Sequence, residues 1–411
     1  MRSDDEMDES GDDEAWSGEW RIRAEDAIPG GSSTGSKRAA ALYGSESHDS
    51  RLPTHYDRAN GCSLFTTEGA RLIDCSMALG AVAIGYADPS ITRAVQDAAA
   101  AGNVSGLPHR LEVEVAERLV DVIPCAEQVR FLRTGAEANA AAIRIARAYT
   151  QRTHVIGCGY FGWLDWCSDA AGVPESRKSE ISWVPFNNSE LLTKAFESRG
   201  NTVAALIIEP LVEELATSEW LQAARDLCTQ YGAILIFDEV KTAFRIRTGG
   251  VQDLHDITPD LSTLGKALAN GYPLSAVVGR AEVMQAAAQS WISSTAAAES
   301  TGLAAALAVL DWHDRVDVCA RLEEIGQTMR KSMQKALESV PSLKIKAVGE
   351  PHMFRLVAEN PTDLDALVAQ GTRHGVLLKR GAYQFASLAH DDESIAKIGD
   401  GVAAAARDIV A

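Results

Sequence analysis

The chain has 411 residues, 46% hydrophobic and 23% charged, enough for two or three domains and a large core. A net charge of −18 argues against a nucleic-acid partner and against an anionic membrane surface, and leaves room for a cationic one. The seven cysteines are scattered with no CxxC pair, so neither a disulfide framework nor a zinc site is expected, and a reducing, cytoplasmic setting is.

Residues 1–19 carry nine acidic side chains against Arg2 alone and have no apolar h-region; a solvated, disordered tail is expected, and no signal peptide. Residues 21–60 read as loop-rich, with the Gly/Ser segment "IPGGSSTGSKR" at 28–38. "EGARLIDCS" (68–76) reads as a turn entering a strand, and 90–102 and 110–123 have helical periodicity. From about residue 128 short apolar strands alternate with helices: strands at 128–132, 153–157, 203–210, 233–240 and 274–280, helices at 136–150 and 219–232, the latter stopped by Gly232. This pattern predicts an α/β fold with a mostly parallel sheet covered on both faces. The longest apolar runs, such as "VAALII" (203–208), are strand-length and too short to span a bilayer. After about residue 310, helices flanking strands at 343–348 and 375–380 suggest a smaller α+β domain.

Four stretches invite a chemical reading. "GCGYFG" (157–162) fits a dinucleotide-binding glycine pattern, but Gly172 and Pro174 break the helix it would have to open, so that reading fails. In "LRTGAEANAAA" (132–142) a strand ends and Thr134–Gly135–Ala136 turn into a helix, whose free N–H groups and dipole suit an anion. An ordinary Thr134 N-cap explains the same residues. "AILIFDEVKTAF" (233–244) puts Asp238 after five apolar residues, where a carboxylate is costly unless paired. In "LSTLGKALANG" (261–271), Lys266 lies among apolar and small residues, where desolvation frees a lysine nitrogen for covalent chemistry. A phosphate cradle, a lysine and a carboxylate for a ring nitrogen are together what pyridoxal phosphate requires.

The blocks "AEDAIPGG", "RTGAEANAAAIRIARAYT", "IIEP", "LIFDEVKTAFR", "PDLSTLGKALANGYPLSAVVGR" and "ISSTAAAESTGLAAALAVLD" resemble those of the class III (fold type I) aminotransferases, nearest to the branch containing glutamate-1-semialdehyde aminomutase. The resemblance runs from about Arg21 to the C-terminus. It implies a mostly parallel sheet of the seven-stranded type. The implied division is tail (1–19), N-terminal segment contributing to a small domain (20–75), cofactor-binding large domain (76–310) and C-terminal small domain (311–411). It further implies that Lys266 holds pyridoxal phosphate covalently and that Asp238 pairs with its ring nitrogen. Val240 and Tyr160 would take the two ring faces, and Thr134, Gly135 and Ala136 the phosphate. Thr295 would reach the phosphate of the neighbouring subunit in a homodimer with shared sites.

The departures are specific. The family's N-S-G-T-E-A is Arg133-Thr134-Gly135-Ala136-Glu137-Ala138, Phe161 replaces a His, and Ala298-Glu299-Ser300 replaces Gly-Asn-Pro. Lys37 and Arg38 lie near the position at which the aminomutase has an arginine that meets a substrate carboxylate. "GVLLKRGAYQFASLAH" (375–390) is most similar to aminotransferases of aminoglycoside-antibiotic pathways, of the neomycin and gentamicin type. Asp165, Glu213, Glu214 and Glu299 are then candidates to meet a polycationic substrate. An epimerase or aminomutase needs the same Lys266 and Asp238, and a non-catalytic relative would be expected to lack them.

Overall fold

The structure, a computed structural model, describes residues 18–44 and 52–411. Of the disordered tail expected over residues 1–19, residues 1–17 lie outside the described residues; Glu19 instead opens a helix, Glu19–Ala27. Arg21 and Glu25 pair across one turn of it, at 3.1 Å.

Seven strands form one sheet. Its strands are β1 (Gln128–Leu132), β2 (His154–Cys158), β3 (Ile181–Trp183), β4 (Val203–Ile208), β5 (Ile234–Asp238), β6 (Leu261–Leu264) and β7 (Ser275–Gly279). They lie in the order β1-β7-β6-β5-β4-β2-β3. The strands from β6 to β3 pair in parallel; β7 is antiparallel to both β6 and β1. Every residue of β2, β4 and β5 is buried, which is why these strands are apolar without alternation. Helix α1 (Gly135–Thr150) presses Ala138, Ala142, Ile145 and Ala146 onto one sheet face, and α2 (Ser218–Tyr231) packs Trp220, Leu221 and Ala224 onto strands from the other.

The N- and C-terminal parts of the chain fold together. Val376–Leu377 adds in parallel to Arg71–Asp74, completing a four-stranded sheet with Tyr56–Asn60 and Ser63–Thr66. A second, antiparallel sheet joins Ile345–Glu350, Met353–Ala358 and Tyr383–Phe385. Tyr43, Leu52, Ile73 and Met77 share one apolar cluster with Leu367, Val376, Ile398 and Val402. Arg245 ties this part to the large sheet: fully buried, it donates to the carbonyls of Gly80 (3.1 Å), His352 (3.4 Å) and Ala386 (2.7 Å).

Candidate active site

Parallel strands end on a common edge. Strand β1 is antiparallel to β7, itself antiparallel to β6, so β1 ends there as well. This edge collects Thr134, Tyr160, Glu209, Asp238 and Lys266, each one or two residues from its strand end or at it.

Thr134 caps α1. Its hydroxyl accepts from the Glu137 N–H at 3.2 Å, while the Glu137 carboxylate accepts from the Thr134 N–H at 2.9 Å. The N–H groups of Gly135 and Ala136 are left without an acceptor among the described residues. Thr134 is an N-cap, and the two readings of the stretch are compatible, since two donors are still left at the positive end of a 16-residue helix.

Val240 lies between this cradle and the lysine turn. A Cβ on Gly135 would come within 2.8 Å of Val240 Cγ1, and one on Gly265 within 3.4 Å of the same atom. A Cβ on Gly162 would lie 2.4 Å from the Ala136 methyl, so Ala136 requires glycine opposite it.

Asp238 is buried and held by neutral donors: Asn139 Nδ2 at 2.7 Å and the Val240 N–H at 3.0 Å. Thr263 Oγ1 in turn donates to Asn139 Oδ1 at 2.7 Å. Burial, reinforced by the nearby Glu209 charge, pushes the Asp238 carboxyl up to about 7; Asn139, the Val240 N–H and Lys266 pull the other way.

Lys266 follows an extended Gly265 and has φ 49°, a left-handed conformation that costs roughly 1 kcal/mol for a residue with a Cβ. Its Nζ makes no hydrogen bond or ion pair among the described residues. Burial lowers its pKa to about 8, with Lys241 acting in the same sense and Glu209 and Asp238 opposing.

Strain, a carboxyl pushed up by burial and the Glu209 charge, a buried amine and two N–H groups at a helix start thus meet on one edge. These residues fit pyridoxal phosphate: Lys266 would hold its aldehyde carbon, Asp238 its ring nitrogen, and Gly135 and Ala136 its phosphate. When bound, the cofactor supplies an electron sink for carbon–hydrogen cleavage beside an amine.

Sequence reasoning missed three groups here. Asn139 orients Asp238, and its signal was a lone amide among the alanines of α1. Glu209 and Lys241 form a buried ion pair, and Lys241 Nζ also lies 3.3 Å from the Tyr383 hydroxyl. Glu209 carried the same signal as Asp238, a carboxylate closing an apolar strand.

The other expected residues do not join the buried cluster. Tyr160 donates its N–H to Glu209 at 3.1 Å, but the residue is 74% exposed in the protomer. Phe161, not Tyr160, is the buried aromatic, stacked 6.0 Å from Trp183. Thr295 is exposed, in the segment between Ile292 and Ala298 that lines a groove with Val104 and Leu107. Asp165 and Glu214 are exposed on loops beyond β2 and β4. Glu213 is exposed on the same loop but pairs with Arg355 at 2.9 Å.

Glu299 is a correction. It is 3% exposed and caps helix α3 (Ser300–Arg315), accepting from the N–H groups of Gly302 (2.8 Å) and Thr301 (3.0 Å). Arg133 neutralises it at 2.9 Å. A carboxylate so committed is not available to a substrate ammonium.

The class III aminotransferase family matches residues 43–404, and the chain belongs to that family. Solved structures agree. A FumI protein from Sphingopyxis sp. MTA144, in a pyridoxal-phosphate form, is 26% identical with a TM-score of 0.89, over 95% of this chain and 96% of that one. A transaminase with pyridoxal phosphate bound is 25% identical with a TM-score of 0.86, over 95% and 97%. An omega-transaminase from Sphaerobacter thermophilus shares the fold, at 23% identity and TM-score 0.85, over 97% and 99%. The protein is a pyridoxal-phosphate-dependent aminotransferase.

Proposed function

We propose that this aminotransferase works as a homodimer and moves an amino group to or from a polycationic aminosugar of the aminoglycoside kind, in antibiotic biosynthesis. Lys266 is the proton carrier: an amine with a pKa near 8 can accept a proton from the substrate carbon and return it. Asp238 keeps the cofactor ring nitrogen protonated, and the helix α1 N-terminus holds the phosphate.

The observation that carries the substrate class is the −18 net charge together with exposed Asp165 and Glu214 on loops of the site edge. The similarity of residues 375–390 to aminoglycoside enzymes points the same way. The dimer is supported by the groove beside Thr295, where Leu107 is 78% exposed, and by Trp291, four residues before Thr295, at 87%. An apolar surface of this kind is expected to be covered by a second subunit.

A panel of amines tests the substrate class, comparing kcat/KM for aminoglycosides bearing a 6′-amine with simple amino acids and neutral amines. A preference of at least about tenfold for the polycations is expected. Equal turnover of simple amino acids would refute the substrate class and leave the aminotransferase untouched.

A further inference from the structure

Two departures from the resembled blocks, Arg133 and Glu299, are 166 positions apart in sequence and meet in one ion pair at 2.9 Å. Arg133 directly precedes Thr134, and its backbone N–H donates to Glu137, the same carboxylate that closes the cap of α1. Glu299 lies four residues after Thr295. The Arg133 guanidinium also donates to the Ala296 carbonyl at 3.3 Å, so it grips the chain on the C-terminal side of Thr295 at two points. Arg130, at the middle of β1, holds the Ile292 carbonyl on the other side. The segment between, Ser293–Ala298, forms no helix or strand.

We propose that the Arg133–Glu299 pair is a positioning device for the phosphate site: it fastens the Thr295 segment to the residue that precedes the cradle. The inference rests on the reading that Thr295 serves the neighbouring subunit. The energetics favour a specific role over an incidental contact. Glu299 is almost fully buried and needs a countercharge, and Arg133 is the cation it meets. Burial alone would raise the Glu299 carboxyl; the Thr301 hydroxyl, the Gly302 and Thr301 N–H groups and Arg133 outweigh burial and hold it below the usual carboxylate range. An asparagine at position 299 could still cap α3 without any partner at 133. Glutamate adds a bond that reaches back to the cradle, and the two cofactor sites of a dimer would then share one rigid frame.

The test is a mutant cycle on apoenzyme: Arg133→Asn, Glu299→Asn and the double variant, which restores the uncharged pair of the resembled blocks. Affinity for pyridoxal phosphate is read by absorbance titration, and the dimer fraction by sedimentation. Each single variant is expected to lose about tenfold or more in cofactor affinity, because each leaves a charge unpaired. The double variant is expected to recover to within a few-fold of wild type. If the single losses simply add in the double variant, the pair proposal is overturned. Positioning of Thr295 is read separately: Thr295→Ala should cost affinity in wild type but little more on a Glu299→Asn background. Full additivity there would mean the pair acts only on stability, and would overturn the proposal. A silent Thr295→Ala with a strongly coupled Arg133/Glu299 cycle would instead remove the neighbouring-subunit reading. Should Glu299→Asn fail to fold, Glu299→Gln keeps the capping oxygen and the same comparisons apply.

Discussion

Burial shifts Asp238 and Lys266 in opposite directions, the acid upward and the amine downward. A carboxyl pushed up to about 7 has a destabilised anion, which a cationic ring nitrogen beside it would stabilise. Asp238→Asn is therefore expected to lower kcat on the order of a thousandfold, about 4 kcal/mol of barrier. It should not destabilise the apoprotein; a kcat within a few-fold of wild type would make Asp238 a structural group only. The raised pKa also fixes a sign. The folded apoprotein binds this proton more tightly than the unfolded chain. Its contribution to stability is fully present below about pH 4 and is lost as pH rises through about 7. The stability difference between wild-type and Asp238→Asn apoprotein in thermal melts should grow as pH rises from about 4 to 7 and level off above that, and identical pH profiles would contradict the assignment. Lys266 runs the other way. Its lowered pKa predicts that acylation of Lys266, followed by peptide mass spectrometry, accelerates as pH rises to about 8 and then levels, well before ordinary lysines near 10.5. Lys266→Ala should abolish turnover and leave the cofactor removable by dialysis from a folded protein.

Elements account for what the sequence disclosed and what it hid. Strand β4 was legible because its residues are all apolar, β1 because Val129 and Phe131 alternate with Gln128 and Arg130, and α2 because Gly232 ends it at φ 63°. Strand β6 was hidden inside the Lys266 segment: four residues, two of them Ser262 and Thr263, whose hydroxyls are satisfied only by tertiary partners. The antiparallel course of β7 was not legible, because a buried strand is equally apolar in either direction. The strand expected at 375–380 shrinks to Val376–Leu377, since Lys379 turns away to donate to the Ser36 carbonyl at 3.0 Å. For the site, the chemistry-bearing ends of β5 and β6 could be read from charge set in apolar surroundings. Asn139 and the Glu209–Lys241 pair could not, because their meaning lies in what the fold brings beside them. Packing around the cradle yields its own prediction. Gly135→Ala would press a methyl into Val240 at 2.8 Å, and overpacking of this kind costs about 1–3 kcal/mol. Cofactor affinity should fall about tenfold or more, and adding Val240→Ala should restore part of it. An unaffected Gly135→Ala variant would mean that the helix start and the Val240 loop are not in contact.

For the whole molecule, the question is where the negative charge acts. Residues 1–19 hold nine acids and one arginine, which accounts for 8 of the 18 net charges. The rest is carried by the remainder of the chain. There Glu299 and Glu209 are already neutralised by Arg133 and Lys241, and Glu213 pairs with Arg355. For the polycationic substrate proposed above, attraction would come from the summed field and from exposed groups such as Asp165 and Glu214, not from Glu299. Fields of this kind are screened once the Debye length falls to ~8 Å or less. Raising salt from about 0.05 M to about 0.5 M should raise KM for an aminoglycoside roughly tenfold while moving KM for a small neutral amine less than about twofold. Asp165→Asn and Glu214→Gln should raise KM for the polycation and leave kcat nearly unchanged. Removing residues 2–17 should leave most of the salt dependence in place. A salt response that disappears with those residues would assign the effect to the tail. A KM for aminoglycosides indifferent to salt would reduce the acidity of the chain to a matter of solubility.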